Sequence, residues 1–303
     1  MSSDFENYRI DKRQVRAAFE RAAPNYDAVA VLQREVGNRV LERLQLIRTT
    51  PERILDIGAG TGLYTSALSK MYSKAHVVAV DIAEGMLKQT RQRMSLLQKL
   101  MRRQSLVCAD AEMLPLVDRC ADMVFSNLTL QWCMDLDRTF RDFLRVLKPG
   151  GLLMFSTFGP DTLRELRQSW RAVDDAIHVN AFIDMHDIGD ALSRTGFADL
   201  VMDVEYITLT YPDIYTLMRD IKTLGAHNVT SGRRHGLTGK GRITQLAQAY
   251  ENFRTKDGVL PLTYEVVYGH AWVPDLTTKQ RAQDGVTKVP LEHLRRRPPS
   301  STL

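Results

Sequence analysis

The chain has 303 residues, of which 44% are hydrophobic, so it can form one large domain or two small ones around an ordinary core. It has no apolar run of about 18 residues and its polar first 13 residues do not resemble a secretory signal, so we expect a cytoplasmic protein without a membrane partner. The formal charge of +5 makes the chain mildly basic, which suits nucleic acid or an acidic protein partner.

The N-terminal part of the chain is predicted to be helical. Residues 1–13 are expected to be loosely held, and amphipathic helices are predicted over 14–23 and 29–48. The second helix has its apolar residues on one face, at Leu32, Val36, Val40, Leu41 and Leu44. Because Pro51 opens the first strand region, residues 1–50 form an N-terminal helical segment.

The stretch Ile54–Gly62 (ILDIGAGTG) organises the central part of the sequence. Its first four residues are predicted to form a short buried strand, and its three glycines a tight turn without room for side chains. A helix is predicted over 63–72. A strand, a glycine turn and a helix N-terminus together form a cradle for a nucleotide-like cofactor, although the loop alone is also compatible with a structural turn.

Strands continue to alternate with helices as far as residue 157. The further predicted strands are 76–81, 105–110, 121–127 and 152–157. The predicted helices between them are 84–101 and 135–147, and the second is stopped by Lys148–Gly151 (KPGG) before the fifth strand. This alternation predicts an α/β fold with a doubly wound, mostly parallel sheet.

The pattern changes after residue 157. Helices are predicted over 160–175, 184–195, 213–224 and 240–254, and long strands over 200–210 and 263–272. We expect these last strands to complete a seven-stranded sheet near one edge. The helices of residues 211–256 then form an insertion over the cofactor edge. The main domain covers residues 51–274, and the polar residues 275–303 are expected to be a disordered tail.

The three cysteines do not indicate a metal site. Cys108, Cys120 and Cys133 are 12 and 13 residues apart, without the close pairs found in metal sites and disulfide frameworks. We therefore expect buried or inert thiols and no bound metal.

The glycine spacing distinguishes between two kinds of cofactor. A dinucleotide site needs a third glycine where this chain has Leu63, and an acid, Asp56, stands two residues before Gly58. Asp56 with the glycines at 58, 60 and 62 resembles the first motif of the class I S-adenosylmethionine-dependent methyltransferases. The resemblance implies a Rossmann-like methyltransferase fold and S-adenosylmethionine as the cofactor.

The same resemblance assigns roles to residues at successive strand ends. It implies that Asp81, followed by Ile82, accepts hydrogen bonds from the ribose hydroxyls, that Asp110 and Ala111 lie beside the adenine, and that Asn127 lies where the methionine part meets the acceptor. Taken alone, Asp81 and Asp110 are equally compatible with helix and turn caps. The predicted cofactor-binding residues are Asp56, Gly58, Gly60, Gly62, Asp81, Ile82, Asp110, Ala111 and Asn127.

The methyl acceptor is suggested by other parts of the chain. Base-modifying methyltransferases carry Pro-Pro and an aromatic residue after the fourth strand, whereas this chain has Asn127–Trp132 (NLTLQW), so nucleic acid is disfavoured as a partner. The segments 21–27, 127–132, 217–228 and 262–272 resemble the malonyl-acyl-carrier-protein O-methyltransferases of biotin synthesis. That resemblance covers about residues 12–274. It implies methyl transfer to the free carboxylate of a malonyl thioester on acyl-carrier protein or coenzyme A.

A carboxylate acceptor needs positioning rather than a general base, because it is already ionised at neutral pH. Arg219 in the inserted helix and Tyr26 after the first helix are the candidates for positioning it. Arg219 is also compatible with a solvated helix face, and Tyr26 with a packed aromatic residue. The predicted substrate- and partner-binding residues are Gln131, Trp132, Lys222, Arg233 and Arg234, although Trp132 also suits the core.

An acidic carrier protein requires a basic docking surface. The Gly-rich run with Arg233, Arg234, His235, Lys240 and Arg242 is the predicted one, unless it is an ordinary flexible loop with solvated charges. Other functions also remain open. They are a relative acting on another small acid or a quinone precursor, an assembly factor that hydroxylates arginine on a protein, and a non-catalytic binding module.

Overall fold

The computed structural model describes residues 10–95, 98–99, 103–223 and 239–275. Seven strands form one sheet in the order β3-β2-β1-β4-β5-β7-β6. The strands are β1 (Arg53–Ile57), β2 (His76–Asp81), β3 (Gln104–Cys108), β4 (Ala121–Asn127), β5 (Leu147–Phe158), β6 (Ala198–Tyr211) and β7 (Leu260–Trp272). The predicted seven-stranded, mostly parallel sheet is confirmed.

Helices cover both faces of the sheet, which is why its central strands are almost entirely apolar. The helices are α1 (Lys12–Ala22), α2 (Tyr26–Val29), α3 (Val31–Gln45), α4 (Leu63–Met71), α5 (Glu84–Arg93), α6 (Leu136–Val146), α7 (Arg164–Arg171), α8 (Met185–Thr195), α9 (Ile214–Thr223) and α10 (Lys240–Tyr250). One core contains residues of α3, α4, α7 and α10, and the other contains residues of α6 and α8. In the part of the chain that is described, each helix is too short or too polar to cross a membrane.

Strands β1 to β5 run parallel, so their carboxyl ends meet at one edge of the sheet. Leu55 of β1 pairs with Val78 of β2 and with Val124 of β4, and Asn127 of β4 pairs with Ser156 of β5. The loops after these strands therefore converge on one region. In open α/β sheets, ligands bind in the crevice outside such strand ends.

The last two strands occupy the position that the sequence predicts. β7 lies antiparallel between β5 and β6, and β6 forms the outer edge. The N-terminal segment packs against this part of the sheet. Arg39 of α3 forms an ion pair with Glu205, and Arg43 pairs with Asp203 while its guanidinium lies 3.8 Å from the ring centroid of Tyr268.

Two predicted helices are shorter in the structure. The helix predicted over 29–48 forms only over Val31–Gln45, because Ala30, with ψ of 46°, is not helical; the short helix α2 before it was not predicted. The helix predicted over 84–101 ends at Arg93, because Met94 has an extended backbone with ψ of 127°. Neither of these helix boundaries is marked by proline or glycine, and so the sequence analysis predicted both helices too long.

Two strand predictions also need correction. β3 ends at Cys108, so Asp110 lies in the following turn instead of closing the strand. The Lys148–Gly151 stretch belongs to β5 rather than to a separate turn, because the Gly150 N–H donates to the carbonyl of Val273 across the sheet at 3.0 Å. The helix predicted over 160–175 forms only over Arg164–Arg171.

Some predictions concern residues that the structure does not describe or does not test. Arg233, Arg234, His235 and the tail from residue 276 lie outside the described ranges. The division into a helical segment, a main domain and a tail therefore stays a prediction. Cys120 and Cys133 are buried, in line with the expectation of buried or inert thiols, whereas Cys108 is exposed and its inertness stays a prediction.

Candidate active site

The glycine loop after β1 has the left-handed backbone that glycine adopts readily. Gly58, Gly60 and Gly62 have φ values of +73°, +55° and +79°. A Cβ atom on Gly58 would lie 1.9 Å from Oγ1 of Thr129, and one on Gly62 would lie 2.5 Å from Cγ2 of Thr90. These two positions confirm that the turn has no room for side chains.

Gly60 differs from the other two glycines, and there the expectation of close packing was wrong. A Cβ atom on Gly60 would meet no atom within 4 Å. The loop is nevertheless fixed on both sides, since the Gly60 N–H donates to Oδ2 of Asp81 at 2.9 Å and Oγ1 of Thr90 donates to the Gly60 carbonyl at 2.8 Å. A rigid backbone with an open face is what a ligand pressed against the loop requires.

The open face of Gly60 belongs to a cleft with an empty volume of about 660 Å³. Seven of the nine predicted cofactor residues line it, namely Gly58, Gly60, Asp81, Ile82, Asp110, Ala111 and Asn127. Asp56 and Gly62 are not part of its wall.

Asp81 is the main acidic group of the cleft. Its Oδ1 accepts from the N–H of Ala83 at 2.8 Å and its Oδ2 from the N–H of Gly60. Asp81 is not the helix cap of α5, because the N-cap residue of that helix is Ala83 and no side chain caps it. Burial raises the pKa of Asp81 to about 6, against the stabilising effect of these two N–H groups. Because each carboxylate oxygen can accept more than one hydrogen bond, the side chain keeps acceptor capacity for a ligand.

Asp56 faces a second compartment over the glycine loop. This space has an empty volume of about 460 Å³ and shares Tyr26, Gly58, Gly60 and Asn127 with the cleft. Oδ2 of Asp56 accepts from Oγ1 of Thr65 at 2.6 Å. Burial raises the pKa of Asp56 to about 7, against the effect of the Thr65 hydrogen bond, which lowers it.

The N-terminal helix α1 forms one wall of the cleft, which the sequence analysis did not foresee. Lys12, Val15 and Phe19 line the cleft, and Nζ of Lys12 lies 2.8 Å from Asp110 and 2.7 Å from Glu112. The available signal was the apolar pair at positions 15 and 19, four residues apart and so on one helical face. Nothing in the sequence indicated what that face covers.

Tyr26 lines both compartments and is only partly buried. Its ring lies edge-on to Phe19, with 6.4 Å between the centroids, and its hydroxyl forms no hydrogen bond to any described residue. Burial raises the pKa of this phenol above its ordinary value, so Tyr26 stays protonated at neutral pH. It is therefore a neutral hydrogen-bond donor with a free hydroxyl.

The residue after Tyr26 connects this segment to the glycine loop. Oδ1 of Asp27 accepts from Oγ1 of Thr61 at 2.6 Å, and its Oδ2 pairs with the guanidinium of Arg93. Nε of Arg93 also donates to the Thr61 carbonyl at 3.1 Å. We call Asp27, Thr61 and Arg93 the latch, because they join α2, the loop and the end of α5. Sequence reasoning missed all three.

Of the predicted site residues at and after the end of β4, some line the cleft and one does not. Oδ1 of Asn127 accepts from Oγ of Ser156 at 2.8 Å and its Nδ2 donates to the Gln33 carbonyl at 3.1 Å, so protein atoms already orient this amide. Trp132 lines the cleft and packs edge-on against Phe19. Gln131 does not line it, since its amide bonds to Leu128 and Thr157.

Arg219 and Lys222 are exposed on α9 and line none of these compartments. Helix α9 contacts α2, the helix that begins with Tyr26, so both cations lie on an element adjacent to the site. Their predicted roles stay predictions. Within the described residues, no group of three His, Cys, Asp or Glu side chains is arranged to hold a metal ion.

Comparisons with known proteins identify close relatives. A family model described as a methyltransferase domain matches residues 55–155. The malonyl-acyl-carrier-protein O-methyltransferase of Methylovorus sp. (strain MP688) is 53% identical over 93% of this chain and 95% of the relative. The enzyme of the same name from Gallionella capsiferriformans (strain ES-2) is 56% identical over 88% of this chain and 92% of the relative.

Solved structures share the fold at low sequence identity. A Bacillus halodurans protein matches 78% of this chain and 99% of its own, with a TM-score of 0.55 and 18% identity. An S-adenosylmethionine-dependent methyltransferase from Thermotoga maritima matches 85% of this chain and 99% of its own, with a TM-score of 0.51 and 18% identity. At this identity the likeness concerns the fold alone.

Proposed function

The chain belongs to the family of malonyl-acyl-carrier-protein O-methyltransferases, which depend on S-adenosylmethionine, and from this membership we propose how its cleft serves the reaction. The protein transfers a methyl group to the free carboxylate of a malonyl thioester. The observation that carries the assignment is 53% identity across 95% of a relative of that name. We infer that the methyl ester enters biotin synthesis, because esterification removes a charge that chain-elongating enzymes do not accept.

The residues of the cleft fit S-adenosylmethionine. When bound, this cofactor supplies a methyl group on a positively charged sulfur. We propose that Asp81 accepts hydrogen bonds from the ribose hydroxyls and that the open face of Gly60 admits the cofactor against the backbone. Asp110 and Ala111 would hold the adenine end in the first compartment, while Asp56 would face the methionine end in the second.

The acceptor is held without a general base. A carboxylate is ionised at neutral pH, so the protein has only to orient one of its oxygens towards the methyl group. We assign this positioning to Tyr26, which lines both compartments and whose hydroxyl has no hydrogen-bond partner among the described residues. A neutral donor suits this task because the acceptor loses its negative charge in the transfer, and a fixed cation would stabilise the starting carboxylate more than the product.

The cations on α9 give a second set of contacts with the substrate. Arg219 and Lys222 stand three residues apart and so on the same helical face. We propose that this face, with the undescribed Arg233 and Arg234, attracts the acidic carrier protein, since complementary charge favours encounter. The alternative role for Arg219, binding of the malonyl carboxylate itself, makes a different prediction that is tested below.

The function can be tested by direct methyl transfer. Purified protein, methyl-labelled S-adenosylmethionine and malonyl-acyl-carrier protein should yield a labelled product that mild base releases, because the bond formed is a methyl ester. Acetyl-acyl-carrier protein is the matched control, since it lacks the free carboxylate and should remain unlabelled. Label on the acetyl form, or transfer only to an unrelated small acid, would contradict the assignment.

A further inference from the structure

A second cavity lies outside the cofactor cleft. It has an empty volume of about 1,150 Å³ and is formed by Pro160, helix α7 and the segment 174–182. The cleft and this cavity share no lining residue. None of the predicted site residues belongs to it, so the established chemistry leaves it without a role.

The floor of the cavity contains an unsatisfied polar group. Asn180 is only 8% exposed, and its Oδ1 atom has no hydrogen-bond partner within the described part of the chain. A buried amide oxygen without a hydrogen-bond partner destabilises the folded protein. Such a group is usually satisfied by a ligand or an ordered water, and an amide-bearing ligand matches its chemistry directly.

The second cavity has an aromatic wall and a positively charged mouth. Trp170 is 4% exposed and stacks on His178 with 3.7 Å between the ring centroids, while Oδ1 of Asp174 fixes this imidazole at 2.6 Å from Nε2. Arg171, at the mouth, is exposed and forms no ion pair with the described residues. The cavity therefore offers a flat aromatic wall, a deep amide and a cation facing the solvent.

The cavity lies close to the methyl-transfer site along the same edge of the sheet. Ser156 of β5 pairs with Asn127 of β4, and Pro160 follows Ser156 by four residues. At about 3.3 Å per residue, Pro160 lies within roughly 13 Å of Ser156, the residue beside Asn127 on the neighbouring strand. Phe158, in the same stretch of chain, packs against Phe182 of the cavity wall, with 5.6 Å between their centroids.

We propose that this second cavity holds the phosphopantetheine arm of the thioester substrate. The inference rests on the proposed function, in which the malonyl group reaches the cleft on such an arm. The amide groups of the arm would pair with Asn180, its methyl-bearing carbons would pack on the aromatic wall, and its phosphate would meet Arg171 at the mouth. Acyl-carrier protein and coenzyme A share this chemistry, so the site serves both.

The test uses the full chain with three substrates. They are malonyl-acyl-carrier protein, malonyl-coenzyme A and malonyl-N-acetylcysteamine, which keeps the thioester but lacks most of the arm and the phosphate. We expect Asn180→Leu to raise KM about tenfold for the first two, because one buried hydrogen bond is lost. We expect kcat to stay unchanged, because the arm binds equally in the ground state and in the transition state. We also expect KM for the truncated substrate to stay unchanged, because that substrate lacks most of the arm.

Arg171→Gln tests the mouth without disturbing the buried floor. We expect KM to rise several-fold, by the same factor for both carriers, while Arg141→Gln on the exposed face of α6 leaves it unchanged. The assignment would be overturned if KM rose equally for the truncated substrate, or if it rose only for the carrier protein. It would also be overturned if KM changed in neither variant. If the wild-type protein methylates none of the three substrates, the proposed function fails instead.

Discussion

At the scale of single residues, Asp81 should make cofactor binding in the proposed cleft depend on pH. Its carboxylate accepts hydrogen bonds from the N–H groups of Gly60 and Ala83, and burial raises its pKa to about 6. Glu20 and Asp56 add negative charge nearby. We expect affinity for S-adenosylmethionine to fall about tenfold for each pH unit below about 6, because the protonated acid is a poorer acceptor for the ribose.

The free energy of unfolding should respond in the opposite direction. Because the pKa of Asp81 is raised by folding, the folded state binds the proton more tightly between about pH 4 and pH 6. Its contribution to stability therefore falls as pH rises through that window and is constant above it. Calorimetric titration and thermal unfolding at pH 4–8, on the wild type and Asp81→Asn, separate the two effects. A cofactor affinity that does not change with pH in the wild type would contradict the prediction.

The glycine loop illustrates what the sequence can and cannot predict at this scale. The spacing of Gly58, Gly60 and Gly62 predicts the turn, because each residue needs a positive φ. It cannot predict that Gly58 is packed by Thr129 while Gly60 faces open space. Thr129 is distant in the chain, and its position depends on the pairing of β1 with β4.

At the scale of elements, the latch controls how α2 is held over the cleft. Asp27 binds both Thr61 and Arg93, and Tyr26 is its neighbour in the chain. We expect Asp27→Asn to lower kcat about tenfold and to speed cofactor release, because Tyr26 loses its fixed position when the charged partner of Arg93 is removed. Single-turnover kinetics and stopped-flow release measure the two effects.

The matched control for the latch lies on the same helix. Arg91→Gln removes an exposed arginine two residues before Arg93 and should leave both rates unchanged, whereas Arg93→Gln should reproduce the effect of Asp27→Asn. A loss of thermal stability without a change in kcat or in cofactor release would assign the latch a purely structural role.

The boundaries of the helices and strands show that local sequence patterns predict whether an element forms better than where it begins and ends. The strands β1, β2 and β4 were predicted accurately because they are short apolar runs with polar ends. The start of α3 after Ala30, instead of at the predicted residue 29, could not be foreseen, since alanine favours helices and the side chain of Asp27 is held by residues far along the chain. Tertiary contacts determined that boundary.

At the scale of the whole molecule, the parallel sheet explains why most of the candidate site was predictable. Parallel strands place Gly58, Asp81, Asp110 and Asn127 near one edge, so residues read at successive strand ends come together in the cleft. Two features were not predictable, namely that α1 covers the cleft and that a second cavity exists. Both depend on packing between segments with no shared local pattern, such as Lys12 with Asp110.

The distribution of charge over the molecule leads to the last prediction. Arg219 and Lys222 are exposed on α9, next to the cleft, whereas Lys74 is exposed before β2, at the opposite edge of the sheet. We expect the double variant Arg219→Glu and Lys222→Glu to raise KM about tenfold or more for malonyl-acyl-carrier protein, because like charges then oppose encounter. Malonyl-coenzyme A should be much less affected, and Lys74→Glu should change neither.

Salt provides an independent measurement of the same interaction. Surface charges are screened over about 10 Å at 0.1 M salt, so KM for the carrier substrate should rise with ionic strength in the wild type and less steeply in the double variant. If Arg219 instead binds the malonyl carboxylate, Arg219→Glu should impair both substrates equally at every salt concentration. The comparison therefore decides between docking of the carrier and direct binding of its acyl group.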